Sequence, residues 1–277
     1  GITWQPRLEA GTDEPDLLLR PTPGGWDAGG VETPHVVRRP DGTYLLFYTG
    51  TLAKEANRWA IGAATSPDGL TWTKVGDGPV FSGQGGWEGP FADGQEETGG
   101  VLEPSVLFNP DLQRYQMWYA GLGKQGETIA YRVGYAESQD GLEWRRLDDP
   151  VLSPDPGGWD NATVSHVDVI YRTSEEGRAP EFHLFYFGAT AESYQMAEQA
   201  GAAMIPGEIG HAYSRDGVHW EKDANPVLPV VPGTWQAWLV GGPSALAQDG
   251  RIRLWYFASG AYNTYEFHMG VAEHIGY

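Results

Sequence analysis

The 277-residue chain carries 37 acidic against 18 basic side chains, a net charge of −19, and no cysteine. That balance excludes the basic footprint that nucleic acid or an anionic membrane surface needs. The missing cysteine excludes disulfides, thiolate metal ligands and a cysteine nucleophile.

No run approaches the roughly 18 apolar residues of a membrane helix. The opening Gly1-Ile2-Thr3-Trp4-Gln5-Pro6 lacks the features of a secretory leader. The expectation is a soluble protein, cytoplasmic or exported with a leader removed. Frequent Gly (39), Pro (20), Trp (12) and Tyr (14) favour short strands joined by many turns.

In chain order, one unit recurs. It opens as Gly-Gly-Trp-Asp (24–27), Thr-Pro-His-Val-Val (33–37), Tyr-Leu-Leu-Phe-Tyr-Thr-Gly (44–50) and a Ser-Pro-Asp-Gly-Leu-Thr-Trp ending (66–72). The second unit has Gly-Gly-Trp-Glu (85–88), Glu-Pro-Ser-Val-Leu (103–107), Tyr-Gln-Met-Trp-Tyr-Ala-Gly (115–121) and Ser-Gln-Asp-Gly-Leu-Glu-Trp (138–144). The third has Gly-Gly-Trp-Asp (157–160), His-Val-Asp-Val-Ile (166–170), Phe-His-Leu-Phe-Tyr-Phe-Gly (182–188) and Ser-Arg-Asp-Gly-Val-His-Trp (214–220). The fourth has Gly-Pro-Ser-Ala-Leu (242–246), Ile-Arg-Leu-Trp-Tyr-Phe-Ala (252–258) and Met-Gly-Val-Ala (269–272), and stops before the Asp-Gly ending. Gly1-Ile2-Thr3-Trp4 resembles that missing ending. The expected architecture is one all-β domain over 1–277, a β-propeller of four four-stranded blades with a fifth possible. Residues near 2–6 would pair with residues near 267–273 to close the ring and remove its edges.

The Asp-Gly segments are turn chemistry, with Asp or Ser capping and Gly at positive φ. Trp72, Trp144 and Trp220 are expected between blades. Strands alternate direction, so short links gather on one face and long irregular links on the other, where binding residues usually sit. Segment 191–200 has helical propensity and could form a small lid on that face. Period-two alternation splits each inner strand into two sets. Pro34/Val36, Pro104/Val106, Val167/Val169 and Pro243/Ala245 are apolar. Thr33/His35, Glu103/Ser105, His166/Asp168 and Gly242/Ser244 are polar or small, and the polar set is expected to line the axis. Thr33, Glu103, His166 and Gly242 then form the ring at the mouth, with His35, Ser105, Asp168 and Ser244 below and Glu32 at the rim. Converging titratable groups shift one another's pKa values and favour active sites, although a water-filled axis with paired polar groups has the same pattern.

The repeated Pro-Val-Leu, Gly-Trp-Asp, Pro-Ser-Val-Leu, Tyr-x-x-Trp-Tyr-x-Gly and Ser-x-Asp-Gly-x-x-Trp segments resemble the furanosidase-type propeller glycosidases, relatives of glycoside hydrolase families 43, 32, 68 and 130. The resemblance runs over essentially the whole chain. It implies a site at the axial mouth for arabinose, xylose, fructose or related sugars, built from carboxylates of successive inner strands, usually of five blades. Glu103-Pro104-Ser105-Val106 matches the family's second-blade Asp-Pro-Ser-Val pattern. The family's base position is Thr33-Pro34 here, with Glu32 one residue earlier. The place of its later acid falls on His166 or Gly242. Some relatives hold a cation or water on the axis beside a histidine, which would make His35 the place for an axial cation. No other metal or cofactor is expected.

Glycoside chemistry needs two carboxyl groups about 5–5.5 Å or 6.5–9.5 Å apart. The expected catalytic set is Glu103, Asp168, His166 and Glu32. The expected sugar contacts are His35, Thr33, Trp26, Asp27, Trp159, Asp160 and Trp238. The expected partner is a small molecule or oligosaccharide, and the expected activity is a glycoside hydrolase or transglycosidase. Two alternatives stay open: a proton-transfer isomerase or cyclase using His166 and Glu103, and a sugar-binding module.

Overall fold

The computed structural model describes the chain except for residues 1–6, 9–10, 13–15, 52–57, 90–98, 126–127, 174–178, 203, 263–265 and 276–277. The repeats become antiparallel sheets arranged as in a β-propeller. The first unit holds β1 (Gly30–Arg38), β2 (Tyr44–Thr51), β3 (Arg58–Ser66) and the two-residue β4 (Thr73–Lys74). The second holds β5 (Gly99–Asn109), β6 (Arg114–Gln125), β7 (Thr128–Ser138) and β8 (Arg145–Arg146). The third holds β9 (Thr163–Arg172), β10 (Glu181–Ala189), β11 (Glu208–Ser214) and β12 (Glu221–Lys222). The fourth holds β13 (Leu239–Gln248), β14 (Arg251–Ser259) and β15 (His268–Ile275). The first two units join through a short parallel pairing of Arg58 and Trp59 with Gly99 and Gly100. The expected closure by residues 2–6 lies outside the described residues.

Each Asp-Gly turn is held the same way. Ser66 Oγ accepts the Asp68 and Gly69 N–H groups, and Asp68 Oδ1 accepts those of Leu70 and Thr71. The network repeats at Ser138/Asp140 and Ser214/Asp216. Gly69, Gly141 and Gly217 sit at φ of 76°, 79° and 77°, where a side chain is strained. The tryptophan that ends each turn packs as its spacing predicts. Trp144 meets Phe47 of the preceding unit edge-on at 5.7 Å, and Trp220 meets Trp118 at 6.3 Å.

The second-strand aromatics form the seams. Phe47, Trp118 and Phe185 hold equivalent places, and all three are buried at a seam with the next unit. Trp255, the fourth of the set, is 36% exposed, as are its cross-strand neighbours Val271 (57%) and, one row on, Met269 (76%). Among the described residues nothing covers that face of the last unit.

The helix expected at 191–200 is α1 (Ala191–Ala200), between β10 and β11. A reciprocal Thr190–Ser193 cap starts it, and Gly201 ends it in the left-handed conformation.

One expectation needs revision. The inner strands do not alternate smoothly. Each carries a bulge where the mouth ring sits: the pairing register shifts between Glu32 and His35, Leu102 and Ser105, Ser165 and Asp168, and Gly241 and Ser244. Thr33, Glu103, His166 and Gly242 are at positive φ, 47°, 56°, 45° and 58°. The two polar rings are therefore re-aimed by a bulge rather than read off a flat strand.

Candidate active site

Threonine, glutamate and histidine rarely occupy the left-handed region, and each such residue stores roughly 1–3 kcal/mol of strain. Three of them at one repeated position mark a backbone that the surroundings hold in place. Glu103 is the most tightly held. Its N–H donates to Thr49 Oγ1 at 2.8 Å. Its Oε2 accepts the His166 backbone N–H at 2.6 Å, and its Oε1 lies 3.0 Å from His166 Nδ1. The residue is 8% exposed. Burial pushes its carboxyl above the ordinary range, and the Glu32 carboxylate adds to the rise, while His166 opposes it. Among the described residues no lysine or arginine contributes to that balance. At 3.0 Å one proton lies between Glu103 Oε1 and His166 Nδ1. The pair can therefore keep an acid proton at the mouth.

The lower ring does a different job. His35 Nδ1 accepts the Val106 N–H at 3.2 Å, Ser105 Oγ accepts the Val169 N–H at 3.0 Å, and Asp168 Oδ2 accepts the Ala245 N–H at 2.6 Å. Each ring residue thus caps the inner strand of the following unit, at a point where the bulge has broken the ladder. Asp168 also accepts from Ser105 Oγ at 3.1 Å and lies 3.4 Å from His35 Nε2. Its oxygens accept from neighbours, which gives Asp168 a stitching role. The expected axial cation at His35 meets the same obstacle. Nδ1 is taken by an N–H and Nε2 faces Asp168, so the imidazole presents no lone pair to an ion. Among the described residues no three metal-ligating groups converge.

Trp26, Asp27, Trp159 and Asp160 are corrected as sugar contacts. Trp26 stacks on Tyr48 at 5.9 Å, and Trp159 on Tyr186 at 5.7 Å. Asp27 is fully buried and accepts from Tyr48 Oη at 3.1 Å and from Lys74. Asp160, 1% exposed, accepts from Tyr186 Oη at 2.9 Å and Lys222 Nζ at 2.5 Å. Trp87, Glu88, Tyr119 and Arg146 repeat the arrangement in the second unit. The cations come from the short outermost strands β4, β8 and β12, so the cassette locks each unit's rim to its second strand. A buried carboxylate needs such a partner, and here the partner removes it from chemistry.

The remaining expected residues stand nearer the mouth. Glu32 is exposed at the rim, within electrostatic reach of Glu103. Thr33 Oγ1 lies 2.6 Å from Thr49 Oγ1. Trp238 precedes β13, donates its indole N–H to Met204 O at 3.1 Å and packs on Tyr262 at 5.5 Å.

Three residues escaped the sequence reading. Thr49 is fully buried behind Glu103. Tyr131 is half-buried within electrostatic reach of Glu103, Tyr194 of α1 and Glu32, and its hydroxyl is pushed up by burial first and those groups second. Arg132 is 7% exposed, in a cross-strand row with Val101, two residues mouthward of Glu103. Its guanidinium reaches Ala130 O at 3.4 Å, and burial lowers its pKa, with no carboxylate among the described residues opposing. The links 52–57, 90–98, 126–127 and 263–265 lie outside the described residues.

The fold is that of the propeller-type glycoside hydrolases and mannoside phosphorylases. No family model matches the chain. An uncharacterized protein, Rv1502, of Mycobacterium tuberculosis H37Rv is 26% identical over 265 residues, 92% of this chain and 76% of the relative. A 1,2-beta-oligomannan phosphorylase of Thermoanaerobacter sp. X514 is 27% identical over 203 residues, 61% of this chain and 68% of the relative. The solved β-1,2-mannobiose phosphorylase of Listeria innocua, in complex with β-1,2-mannobiose, superposes with a TM-score of 0.59 at 16% identity. That match covers 90% of this chain and 59% of the other.

Proposed function

We propose that the protein is a carbohydrate-active enzyme that cleaves β-1,2-linked mannosides at the axial mouth, with Glu103 as general acid and inorganic phosphate as nucleophile. The observation that carries the reading is the buried Glu103 carboxyl, held against His166 and without a lysine or arginine partner among the described residues. A general acid must be protonated near working pH, and burial moves Glu103 in that direction. Phosphate brings its own nucleophilic oxygen, so phosphorolysis needs one acid and no carboxylate base. Arg132 supports it: among the described residues no carboxylate pairs with this buried guanidinium, which suits an anion such as phosphate. The oligomannan phosphorylase relative supplies the linkage and the sugar.

In the reaction, Glu103 protonates the leaving glycosidic oxygen as phosphate attacks the anomeric carbon. The products are mannose 1-phosphate and the shortened sugar. Hydrolysis is the second reading, favoured by Glu32, the second carboxylate within electrostatic reach of Glu103. Glu32 would then activate a water.

The test is incubation with β-1,2-mannobiose with and without phosphate, followed by chromatography. Phosphate-dependent release of mannose 1-phosphate is expected, and none from Glu103→Gln. Equal release of free mannose without phosphate makes the enzyme a hydrolase. No cleavage under either condition overturns the mannoside reading.

A further inference from the structure

The hydrogen bonds around Glu103 do not end at His166. They run back across the first seam to two threonines of the first unit, and the order of donors can be worked out. The Glu103 N–H donates to Thr49 Oγ1 at 2.8 Å, so Thr49 accepts there. Thr33 Oγ1 is 2.6 Å from Thr49 Oγ1, a contact that needs one hydroxyl hydrogen between the oxygens. A hydroxyl has one hydrogen and two acceptor sites. Thr49 is fully buried. If Thr33 supplied the shared hydrogen, the Thr49 hydrogen would be left inside the fold needing a further acceptor. If Thr49 supplies it, every polar atom of Thr49 is satisfied by these two contacts. The Thr33 hydrogen, on a half-buried residue of the mouth ring, is then free to turn outward.

We infer that Thr49 is a positioning residue for Glu103, and that it couples the acid to the Thr33 hydroxyl, which donates to a sugar oxygen at the mouth. This rests on Glu103 being the acid proposed above. Thr49 holds the one N–H that fixes Glu103 at φ 56°, a conformation the glutamate side chain does not favour. Its hydroxyl is the contact between the first and second units at this level, just as His166 is the contact between the second and third. The acid is thereby gripped from both neighbouring units, by β2 of the first and β9 of the third. Two of the four mouth positions at positive φ, Thr33 and Glu103, share one buried oxygen.

Thr49→Val keeps the shape and removes the acceptor, and Thr49→Ser restores it. The activity probe is β-1,2-mannobiose with inorganic phosphate. The expected result for Thr49→Val is a fall in kcat of roughly 10- to 100-fold, the cost of a small misplacement of a reacting group. KM should be unchanged, and Thr49→Ser should regain most of the loss. Thr33→Val should raise KM with a smaller effect on kcat, because the hydroxyl meets the sugar and not the acid. A readout without turnover is the Glu103 ¹³Cα and ¹³Cβ shift, which reports its backbone conformation. Thr49→Val should lose the left-handed signature and Thr49→Ser keep it. If Glu103→Gln retains full activity, the proposed function fails. If Glu103→Gln is inactive while Thr49→Val keeps both wild-type kcat and the wild-type Glu103 shifts, the inference about Thr49 is overturned alone. Should the wild type leave mannobiose uncut, the shifts decide the positioning role by themselves.

Discussion

The rim carboxylates recur with the repeat and the axial Glu103 stands once, and the two have opposite fates. At the rim, Asp27, Glu88 and Asp160 each meet a tyrosine hydroxyl and a lysine or arginine. At the axis, Glu103 meets a histidine and backbone and, among the described residues, no fixed cation. Both kinds of carboxylate are buried. What separates them is the partner. A fixed cation and a phenol hold a carboxylate in its ionised, structural form. Burial without a cation raises the cost of ionisation and keeps a proton available. The comparison also separates the two axial rings, since Asp168 is saturated by N–H and O–H donors while Glu103 shares its proton site with one imidazole.

The largest expected effect falls on the axial acid. Glu103→Gln should lower kcat by about 10²–10⁴, the usual contribution of a general acid. Its circular dichroism should stay unchanged. The rim acids should show the reverse. Asp160→Asn leaves the Lys222 ammonium beside a neutral amide in a buried site, and should cost about 3 kcal/mol in denaturant unfolding. Activity per folded molecule should remain. If Asp160→Asn abolishes activity without loss of stability, the division between rim and axis is wrong.

A smaller effect sharpens the same contrast through pH. A carboxyl raised in the folded state binds protons better folded than unfolded, so its contribution to stability declines as pH rises past the unfolded value. Glu103→Gln removes that loss, and its melting temperature at neutral pH should exceed the wild type's. A melting temperature below wild type at neutral pH would mean that the His166 contacts outweigh burial.

The smallest effect lies away from the mouth, at the seam of the third and fourth units. There His183 Nδ1 is 2.9 Å from His211 Nε2, and His211 Nδ1 is 3.0 Å from Asp223. Burial first, then the His211, Arg172 and His274 charges, depress His183 to about 4, with Glu181 opposing. A depressed histidine binds protons better unfolded, so stability should fall as pH drops from the ordinary histidine value towards 4. His183→Gln should flatten that slope in thermal melts. An unchanged slope would assign the acid sensitivity to other groups.

Much of this was legible in the chain. The Asp-Gly turns, the seam tryptophans and the propeller follow from local chemistry that each repeat states again. The helix at 191–200 follows from propensity and its caps. The four mouth positions were found by aligning inner strands, although the alternation used to find them is broken there. A bulge changes which way a residue points without changing the sequence pattern, so Thr33, Glu103 and His166 at positive φ could not be read in advance. The Gly-Gly-Trp-Asp motif misled for the opposite reason. Tryptophan beside aspartate suits a sugar site as well as a rim lock, and only the arrival of Lys74 and Lys222 from 47 and 62 residues away decides between them. Thr49 gave no signal because its role depends on an N–H that lies 54 residues along the chain.

The most direct test of the account is the titration of the Glu103 side-chain carboxyl by ¹³C NMR, with Asp27 followed in the same spectra. The account predicts that Glu103 titrates above the ordinary carboxylate range and Asp27 below it, despite the burial of both. A Glu103 carboxyl that is ionised throughout, titrating with or below Asp27, would contradict it.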